Sequence, residues 1–565
     1  MTYAPPVEDQ LFVLKHIVGI DALAEAGFPE ASADTVEAIV EGAGAFAAGE
    51  FAPLNRIGDE VGARWSPEGV TLPEGFKAAY RAYVEGGWGT LSGPSEFGGQ
   101  GLPLSLATVV MEDLGSANMG FSLIMMLTPA AVEALKHHGT PEQQAMWLPK
   151  LVTGEWSGTM NLTEPQAGSD VGALKTKAEP APDGSWRLSG TKIFITYGEH
   201  DLADNIVHLV LARTPGAPAG TRGISLFIVP KILPDGTRND LRCVSIEHKL
   251  GIHASPTCVM SYGDEGKCVG WLIGEEMGGM RAMFTMMNNA RLNVGLQGVS
   301  IAERAMQAAI AYAGQRVQGA REGRPAPILD FPDVRRMLLR MKALTQAARA
   351  LTYCCAGLTD RASLGDPEAK LRADLLTPLV KAYGTDVGCE VASLGVQVHG
   401  GMGFIEETGA AQHYRDARIA PIYEGTNGIQ AADLVGRKLG LEGGAVLARL
   451  LADVKAGSEG HPALAELAAA CERVAAHLQQ SAPDDRLAGS YPFLTMLSVA
   501  TSGWLMARSL AALAKGNASP LYIEMKQATC RFYLERIVPE ALGLSAGATA
   551  GADLLYAVSS EAFAA

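Results

Sequence analysis

The chain has 565 residues, and its length, composition and charge already exclude several classes of protein. Domains usually hold roughly 100–200 residues, so about three or four are expected. Hydrophobic residues make up 48% and charged residues 19%, which excludes a disordered chain. The net charge of −15 argues against nucleic-acid binding, which needs a basic surface. The eight cysteines include no CxxC pair, so no metal site is expected.

The first part of the chain, residues 1–158, is predicted to be a helical domain. Apolar residues at helical spacing predict helices over 7–26 and 32–47. A capping signal follows at Thr140-Pro141-Glu142-Gln143: the threonine can cap a helix, the proline suits its first position, and the glutamine can reach back.

Between residues 159 and 275 the hydrophobic period changes to two, which predicts strands. Closely spaced strands without intervening helices imply an antiparallel sheet, here a small β-barrel domain. The predicted strands are 186–196, 205–214, 223–231, 241–251 and 257–262.

Helical periodicity returns over 276–440, predicted to be a C-terminal bundle, and continues in an additional helical domain over 441–565. Small residues on the helix from Arg291, such as Gly298, predict tight helix packing. The Gly-, Pro- and Arg-rich region 317–332 is predicted to be a loop. The predicted bundle helices are 291–318, 331–362 and 366–395.

The N-terminus shows no basic region followed by an apolar one, and no apolar run of about 18 residues is found in the sequence. The chain is therefore expected to lack a signal peptide and an integral membrane segment. A bacterial cytoplasmic location is expected.

The sequence contains none of the signatures GxxxxGK[ST], GxGxxG or HExxH, so the usual phosphate loops and zinc sites are unsupported. Three other segments are candidates for chemistry. The first is NLTEPQAGSD at 161–170, a loop dense in backbone donors and hydroxyls that can bind the edge of a heterocycle. A plain connector between domains is the alternative.

The second candidate is GGMG at 400–403, preceded by Gln397. Glycines allow positive φ and close approach of a ligand, and a helix N-terminus beside such a loop suits a pyrophosphate. A tight helix end is the alternative.

The third candidate is PIYEGTNGIQ at 421–430, whose single carboxylate is Glu424. Apolar surroundings raise the pKa of a carboxyl group and so adapt it for proton abstraction near neutral pH. From this segment alone, a solvated loop glutamate or a helix cap is the alternative.

In this order and spacing, TEPQAGSD, GGMGF and IYEGTNGIQ resemble the signatures of the acyl-CoA dehydrogenase family. The resemblance covers about residues 50–440, and the opening YAPPVEDQLFVL with the long tail resembles a larger bacterial branch. It implies an α+β fold with an N-terminal helical domain, a middle antiparallel β-barrel, a C-terminal helical bundle and an extra helical C-terminal domain. It also implies that FAD is the cofactor, bound partly across the interface of a homodimer.

The resemblance carries ligand-binding residues onto matching positions of this chain. Three positions depart from the family: Phe194 stands where tryptophan is frequent, Gln318 replaces a threonine, and Gly428 lacks a side-chain amide. The implied FAD-binding residues are Leu162, Thr163, Ser169, Phe194, Ile195, Thr196, Arg316, Gln318, Gln397, Gly400, Gly401, Thr426 and Gly428. The implied substrate-binding residues are Ser169, Asn288, Arg291 and Gly425.

Glu424 matches the family's catalytic base, whereas a variant with its base on the helix near Arg291 would need a carboxyl group at Ala290. The implied reaction is removal of the α-proton of an acyl-CoA thioester by Glu424, with hydride transfer from the β-carbon to flavin N5. The product is a trans-2-enoyl-CoA, and the electrons pass to electron-transferring flavoprotein. A flavin oxidase or a non-catalytic flavoprotein on the same fold is the alternative.

Overall fold

The computed structural model describes residues 3–514 and 518–565. Its N-terminal part is helical, as predicted, with one small hairpin of β1 (Arg64–Ser66) and β2 (Gly69–Thr71). The helices are α1 (Val7–Val13), α2 (Ile20–Ala26), α3 (Ala33–Phe46), α4 (Leu54–Val61), α5 (Phe76–Glu85), α6 (Leu104–Ala117), α7 (Met119–His138) and α8 (Pro141–Thr153), with π-helical turns at Leu14–Val18 and Ala47–Phe51.

Local signals set several of these helix ends. The capping box before α8 is confirmed: Thr140 Oγ1 accepts from the Gln143 N–H at 3.3 Å, and Gln143 Oε1 accepts from the Thr140 N–H at 3.0 Å. The helix predicted over 7–26 is interrupted, because Gly19 takes a left-handed conformation with φ of 76° and ends the first helical segment.

One helix, α7, is long and apolar enough to cross a membrane by length and composition alone. Its apolar window is 83% buried inside the protein, which is usual for the core helix of a folded domain. Its contacts with α6, α8 and the sheet explain why it is apolar on nearly every face.

The middle of the chain folds into an eight-stranded sheet, in the order β3-β6-β7-β10-β5-β9-β8, with β4 added beside β5. One pair, β3 with β6, is parallel, so the expectation of a wholly antiparallel sheet is wrong there. The parallel pair is possible because β4 and β5 lie between these strands in the chain and provide the crossover. The strands are β3 (Trp156–Asn161), β4 (Lys177–Pro180), β5 (Trp186–Thr196), β6 (Asn205–Ala212), β7 (Ser225–Pro230), β8 (Leu241–Ile246), β9 (Thr257–Tyr262) and β10 (Val269–Ile273).

The third part is a helical bundle whose central helices are longer than predicted. The predicted loop 317–332 is wrong in part, since it contains an exposed hairpin that turns at Gly323, where φ is 77°. The elements are α9 (Gly279–Gln315), β11 (Val317–Arg321), β12 (Arg324–Pro327), α10 (Pro332–Ser363), α11 (Pro367–His399), α12 (Ala410–Ala417) and α13 (Asn427–Gly436).

Helices α9 and α11 run parallel and touch backbone to backbone, as the small residues predict. A Cβ on Gly298 would lie 1.9 Å from the carbonyl oxygen of Gly384, and one on Gly295 would lie 2.5 Å from that of Val380. Glycine is therefore required at this crossing.

The tail after the bundle is helical, as predicted, and packs against α10, α11 and α13 mainly through α17. Phe493, Leu497 and Leu505 of α17 are fully buried. The helices are α14 (Ala445–Ala456), α15 (Pro462–Gln480), α16 (Pro483–Ala488), α17 (Ser490–Leu513), α18 (Pro520–Phe532), α19 (Val538–Leu542), α20 (Ser545–Ala548) and α21 (Asp553–Tyr556), with a π-helical turn at Tyr533–Ile537.

Candidate active site

Glu424 lies in the turn between α12 and α13, and its backbone is left-handed, with φ of 55°. Gly425 follows with φ of 81°, and Thr426 caps α13 by accepting from the Ile429 N–H at 3.2 Å. Gln430 Nε2 donates to the carbonyl of Glu424 at 3.3 Å. A left-handed non-glycine residue is uncommon and costs of order 1 kcal/mol, so this turn is held by its surroundings.

Two buried cations act on the Glu424 carboxyl group. Burial raises its pKa to about 7, while Arg291 of α9 and Lys381 of α11 lower the pKa and limit the rise. A carboxyl group with this pKa can take a proton near neutral pH. Ala290, the other position considered for a base, is fully buried and carries no titratable group.

The residue before Glu424, Tyr423, is linked through hydrogen bonds to α9 and α7. The Tyr423 hydroxyl donates to Gln297 Oε1 on α9, and Gln297 Nε2 points at Met126 Sδ of α7 at 3.6 Å. A small cavity of about 10 Å³, which holds at most about one water molecule, lies on the α7 side of Gln297. It is lined by Met111, Gly115, Ser122, Met126, Asn293, Leu296, Gln297 and Ser300.

The loop after β3, which carries Leu162 and Thr163, is fixed by a buried ion pair that the sequence reasoning missed. Lys192 Nζ donates to Glu164 Oε1 at 2.8 Å and to the Leu162 carbonyl at 2.9 Å. The Ile193 N–H donates to the Thr163 carbonyl at 2.9 Å and binds the loop to β5. A lysine at an inward-facing strand position was the available signal, since buried lysines are almost always paired.

Leu162 and Tyr423 pack against the same apolar cluster, which also includes Ala290 and Ala420. The loop of the middle domain and the turn that carries Glu424 are thus both anchored on one apolar core.

Phe194 lies where β5 is irregular, because the pairing with β9 shifts register between Lys192 and Ile195. Its backbone is left-handed, with φ of 59°, and its ring is 57% exposed although it belongs to a core strand. Ile195 is buried and Thr196 is half-buried. A bulge that turns an aromatic face outward is typical of a strand that presents a side chain to a ligand.

A second cluster lies at the other end of the bundle. Rings of Tyr312 and His399 stack at 4.4 Å and bring the ends of α9 and α11 together. From Arg291 to the end of α9 is about 35 Å at the helical rise per residue. Within one copy of the chain, this cluster is therefore far from Glu424. The cluster contains the exposed residues Arg316, Gln318, Gln397, Gly400 and Gly401.

The remaining predicted residues are near the Glu424 turn or exposed. A Cβ on Gly425 would lie 3.8 Å from Arg291 Nη2, so these two residues are neighbours. Asn288 is exposed one helical turn before Arg291 on α9, and Gly428 is exposed in the first turn of α13. Ser169 is exposed in its loop.

These residues suit a bound dinucleotide and thioester. Within the described residues, Arg291 Nε and Gln430 Oε1 are buried beside the turn without a hydrogen-bond partner, which is uncommon unless a ligand or water completes them. A Cβ on Gly400 or Gly401 would meet no atom within 4 Å, so space is open beside these glycines. The exposed Phe194 ring offers an apolar face for a flat heterocycle.

Family models match four successive parts of the chain. They are described as the acyl-CoA dehydrogenase N-terminal domain over residues 33–155, its middle domain over 159–264, its C-terminal domain over 277–439, and an acetyl-CoA dehydrogenase C-terminal-like domain over 455–559.

Individual relatives agree with these matches. The chain is 47% identical to 3-methylmercaptopropionyl-CoA dehydrogenase of Ruegeria pomeroyi, over 96% of this chain and 97% of that protein. It is 36% identical to a butyryl-CoA dehydrogenase of Syntrophomonas wolfei, over 87% of each. A solved acyl-CoA dehydrogenase from Bacillus anthracis, complexed with FAD, shares the fold at a TM-score of 0.75, with 24% identity, covering 94% of this chain and 90% of that one.

The chain belongs to the acyl-CoA dehydrogenase family. It is an oxidoreductase that dehydrogenates acyl-CoA thioesters, and FAD is its cofactor. The resemblance to the larger bacterial members of the family is confirmed.

Proposed function

We propose that Glu424 is the catalytic base of this dehydrogenation. Its carboxylate takes the α-proton of the acyl-CoA, the electrons of that C–H bond form the new double bond, and a hydride leaves the β-carbon. FAD, when bound, supplies the acceptor for this hydride. The observation that carries the proposal is a carboxyl group of pKa about 7, on a left-handed turn and under the influence of the cations Arg291 and Lys381.

The backbone N–H of Glu424 suits a second task in the reaction, which is to stabilise the negative charge that forms on the thioester oxygen. As the α-proton leaves, negative charge develops on the thioester oxygen and needs oriented donors. Within the described residues, the Glu424 N–H donates to no acceptor, and the left-handed turn keeps it out of the first turn of α13. It is therefore available to the thioester carbonyl.

The residues predicted to hold FAD form two sets, and we propose that two copies of the chain share each cofactor. The loop and bulge near Glu424 suit the flavin ring, with Thr426 and Gly428 beside it. The distant cluster of Arg316, Gln318, Gln397, Gly400 and Gly401 suits the pyrophosphate and adenosine of a cofactor held by a second copy. Phe404, next to this cluster, is 85% exposed, which supports burial against a second copy in a homodimer.

The substrate is proposed to be a short acyl-CoA, with Asn288 and Arg291 beside its CoA part and Ser169 and Gly425 at the thioester. The names of two relatives, which specify 3-methylmercaptopropionyl-CoA and butyryl-CoA, support this class.

Glu424→Gln tests the base, since the amide keeps the shape of the side chain but cannot accept the proton. Flavin reduction by butyryl-CoA is expected to fall by at least about a hundredfold, the lower end of the range for loss of a general base, while FAD stays bound. A variant that keeps FAD and reduces it at the wild-type rate would show that the base is elsewhere.

Electron-transferring flavoprotein is the proposed acceptor, and the bacterial cytoplasm the proposed location. Reduction of a purified bacterial electron-transferring flavoprotein during turnover tests the acceptor. Rapid oxygen consumption with butyryl-CoA would instead favour a flavin oxidase. A bound flavin that no acyl-CoA reduces would favour a non-catalytic flavoprotein.

A further inference from the structure

Lys381 is a buried cation whose hydrogen bond goes to a neutral residue and not to Glu424. It lies in the middle of α11, and its side chain is fully buried. Its Nζ donates to Asn427 Oδ1 at 2.8 Å, so its direct partner is a neutral amide. An ammonium group buried against an amide is costly, because desolvation opposes its charge.

Asn427 connects this lysine to the turn that carries Glu424. Its Nδ2 donates to Asp386 Oδ1 at 2.8 Å and to Thr385 Oγ1 at 3.0 Å, both on α11. Its backbone N–H donates to the Pro421 carbonyl at 3.0 Å and closes the turn from behind. The lysine, the amide and the turn therefore form one connected unit.

The cations that act on Glu424 are Arg291 and Lys381. Asp386 is engaged by Asn427 and by the Tyr491 hydroxyl at 2.7 Å. The titratable and charged groups that surround the unit are Arg291 from α9, Asp386 from α11, Arg418 and Tyr423 from the segment before the turn, Asp433 and Arg437 from α13, and Tyr491 from α17.

We propose that Lys381 is a positioning residue of the dehydrogenation: through Asn427 it holds the turn of Glu424, and its charge favours the carboxylate form of that residue. The proposal rests on the proposed role of Glu424 as the base. A cation near a carboxyl group stabilises the ionised form, so loss of Lys381 makes Glu424 harder to ionise. Burial lowers the pKa of Lys381 to about 7, while Glu424 and Asp386 raise it, which indicates that the two groups influence each other's charge.

The test is the pH dependence of flavin reduction by butyryl-CoA in the FAD-loaded full-length enzyme, measured anaerobically. For the wild type, the rate is expected to rise with pH through about 7, as Glu424 ionises. Lys381→Met removes the charge and keeps the length of the side chain. Its midpoint is expected to move upward by roughly one unit or more, the usual effect of a nearby opposite charge, with a rate at least about fivefold lower at pH 7.

Lys381→Arg separates charge from position. The guanidinium keeps the charge but does not match the single acceptor of Asn427, so the midpoint should stay near that of the wild type while the maximal rate falls. Lys526→Met is the matched control, because Lys526 is equally buried but pairs with Asp9 far from Glu424. It should lower thermal stability without moving the midpoint.

An unchanged midpoint and rate in a folded, FAD-loaded Lys381→Met enzyme would overturn the proposal. If the Lys381→Met variant does not fold, the Lys381→Arg variant tests the proposal instead. A maximal rate equal to that of the wild type in Lys381→Arg would also overturn the proposal. Glu424→Gln distinguishes the two proposals. Full activity of the Glu424→Gln variant would contradict the proposal that Glu424 is the base. An inactive Glu424→Gln variant, together with an unchanged pH midpoint and rate in Lys381→Met, would contradict only the role of Lys381.

Discussion

At the scale of single residues, the site depends on side chains whose roles come from their surroundings. Glu424 is one carboxylate among many in the sequence. Burial raises its pKa to about 7, and the cations Arg291 and Lys381 limit that rise. Gln297 also has no motif that marks it in the sequence, yet in the structure its amide joins Tyr423, the neighbour of Glu424, to Met126 of α7.

Gln297→Ala should extend the range of acyl chains that the enzyme accepts. Removing the amide opens the space between Tyr423 and Met126, so a longer chain can enter. We expect kcat/KM for octanoyl-CoA to rise relative to butyryl-CoA by about tenfold or more, the usual value of one or two buried methylenes. Steady-state rates with a series of acyl-CoAs measure this. A wild-type preference in the variant would mean that the chain lies elsewhere, and Gln346→Ala, which changes a buried glutamine on α10, is a control.

At the scale of elements, the contact of α9 with α11 decides where Arg291 and Lys381 lie. Each helix supplies one cation to Glu424, and the glycine crossing at Gly298 and Gly384 sets the separation of their axes. A change in that separation therefore acts on the site through both cations.

Gly298→Ala is expected to destabilise the protein and to disturb the site. Its Cβ would come within 1.9 Å of the Gly384 carbonyl, and backbone on both sides cannot yield locally. Overpacking of this kind costs about 1–3 kcal/mol or more, which should appear as a lower Tm. Gly314→Ala on the same helix is the control, because its Cβ would meet no atom within 4 Å and alanine favours helix. Equal Tm values for the two variants would contradict the role of the crossing.

At the scale of the whole molecule, a buried ionic network joins five helices from distant parts of the chain. Arg349 of α10 bonds Asp9 of α1 at 2.7 Å, Glu112 of α6 at 2.6 Å and Glu303 of α9 at 2.7 Å. Lys526 of the C-terminal domain reaches the same Asp9 at 2.7 Å. The extra domain is thus tied to the bundle through the first helix.

Asp9→Asn should weaken this attachment while leaving the site intact. It leaves Lys526 and Arg349 short of a buried negative partner, and breaking such a pair costs about 3–5 kcal/mol. Lys526 and Arg349 hold the pKa of Asp9 well below its usual range, so the carboxylate contributes its stability above about pH 4 and loses it as the pH falls further. The difference in unfolding free energy should therefore be largest at neutral pH and shrink in acid. Denaturant unfolding at several pH values measures it, and a pH-independent difference would contradict the ionic account.

The sequence by itself determined the order of helical, sheet and helical regions, the capping box at Thr140, the tight helix crossing at Gly298, and the segments that carry the family's signatures. These are local or periodic signals, because helix and strand periods and cap residues act within a few positions. The assignments of individual residues to FAD and substrate, and the domain boundaries, stay predictions.

Only the tertiary structure decided which of these segments meet. It joined Lys192 to Glu164 and Lys381 to Asn427, and it placed Arg316 and Gly400 at the opposite end of the bundle from Glu424. It also revealed the parallel strand pair and the hairpin after α9. The physical reason is that burial and Coulomb interactions depend on distance in space, and residues far apart in the chain become neighbours only when the helices and the sheet pack.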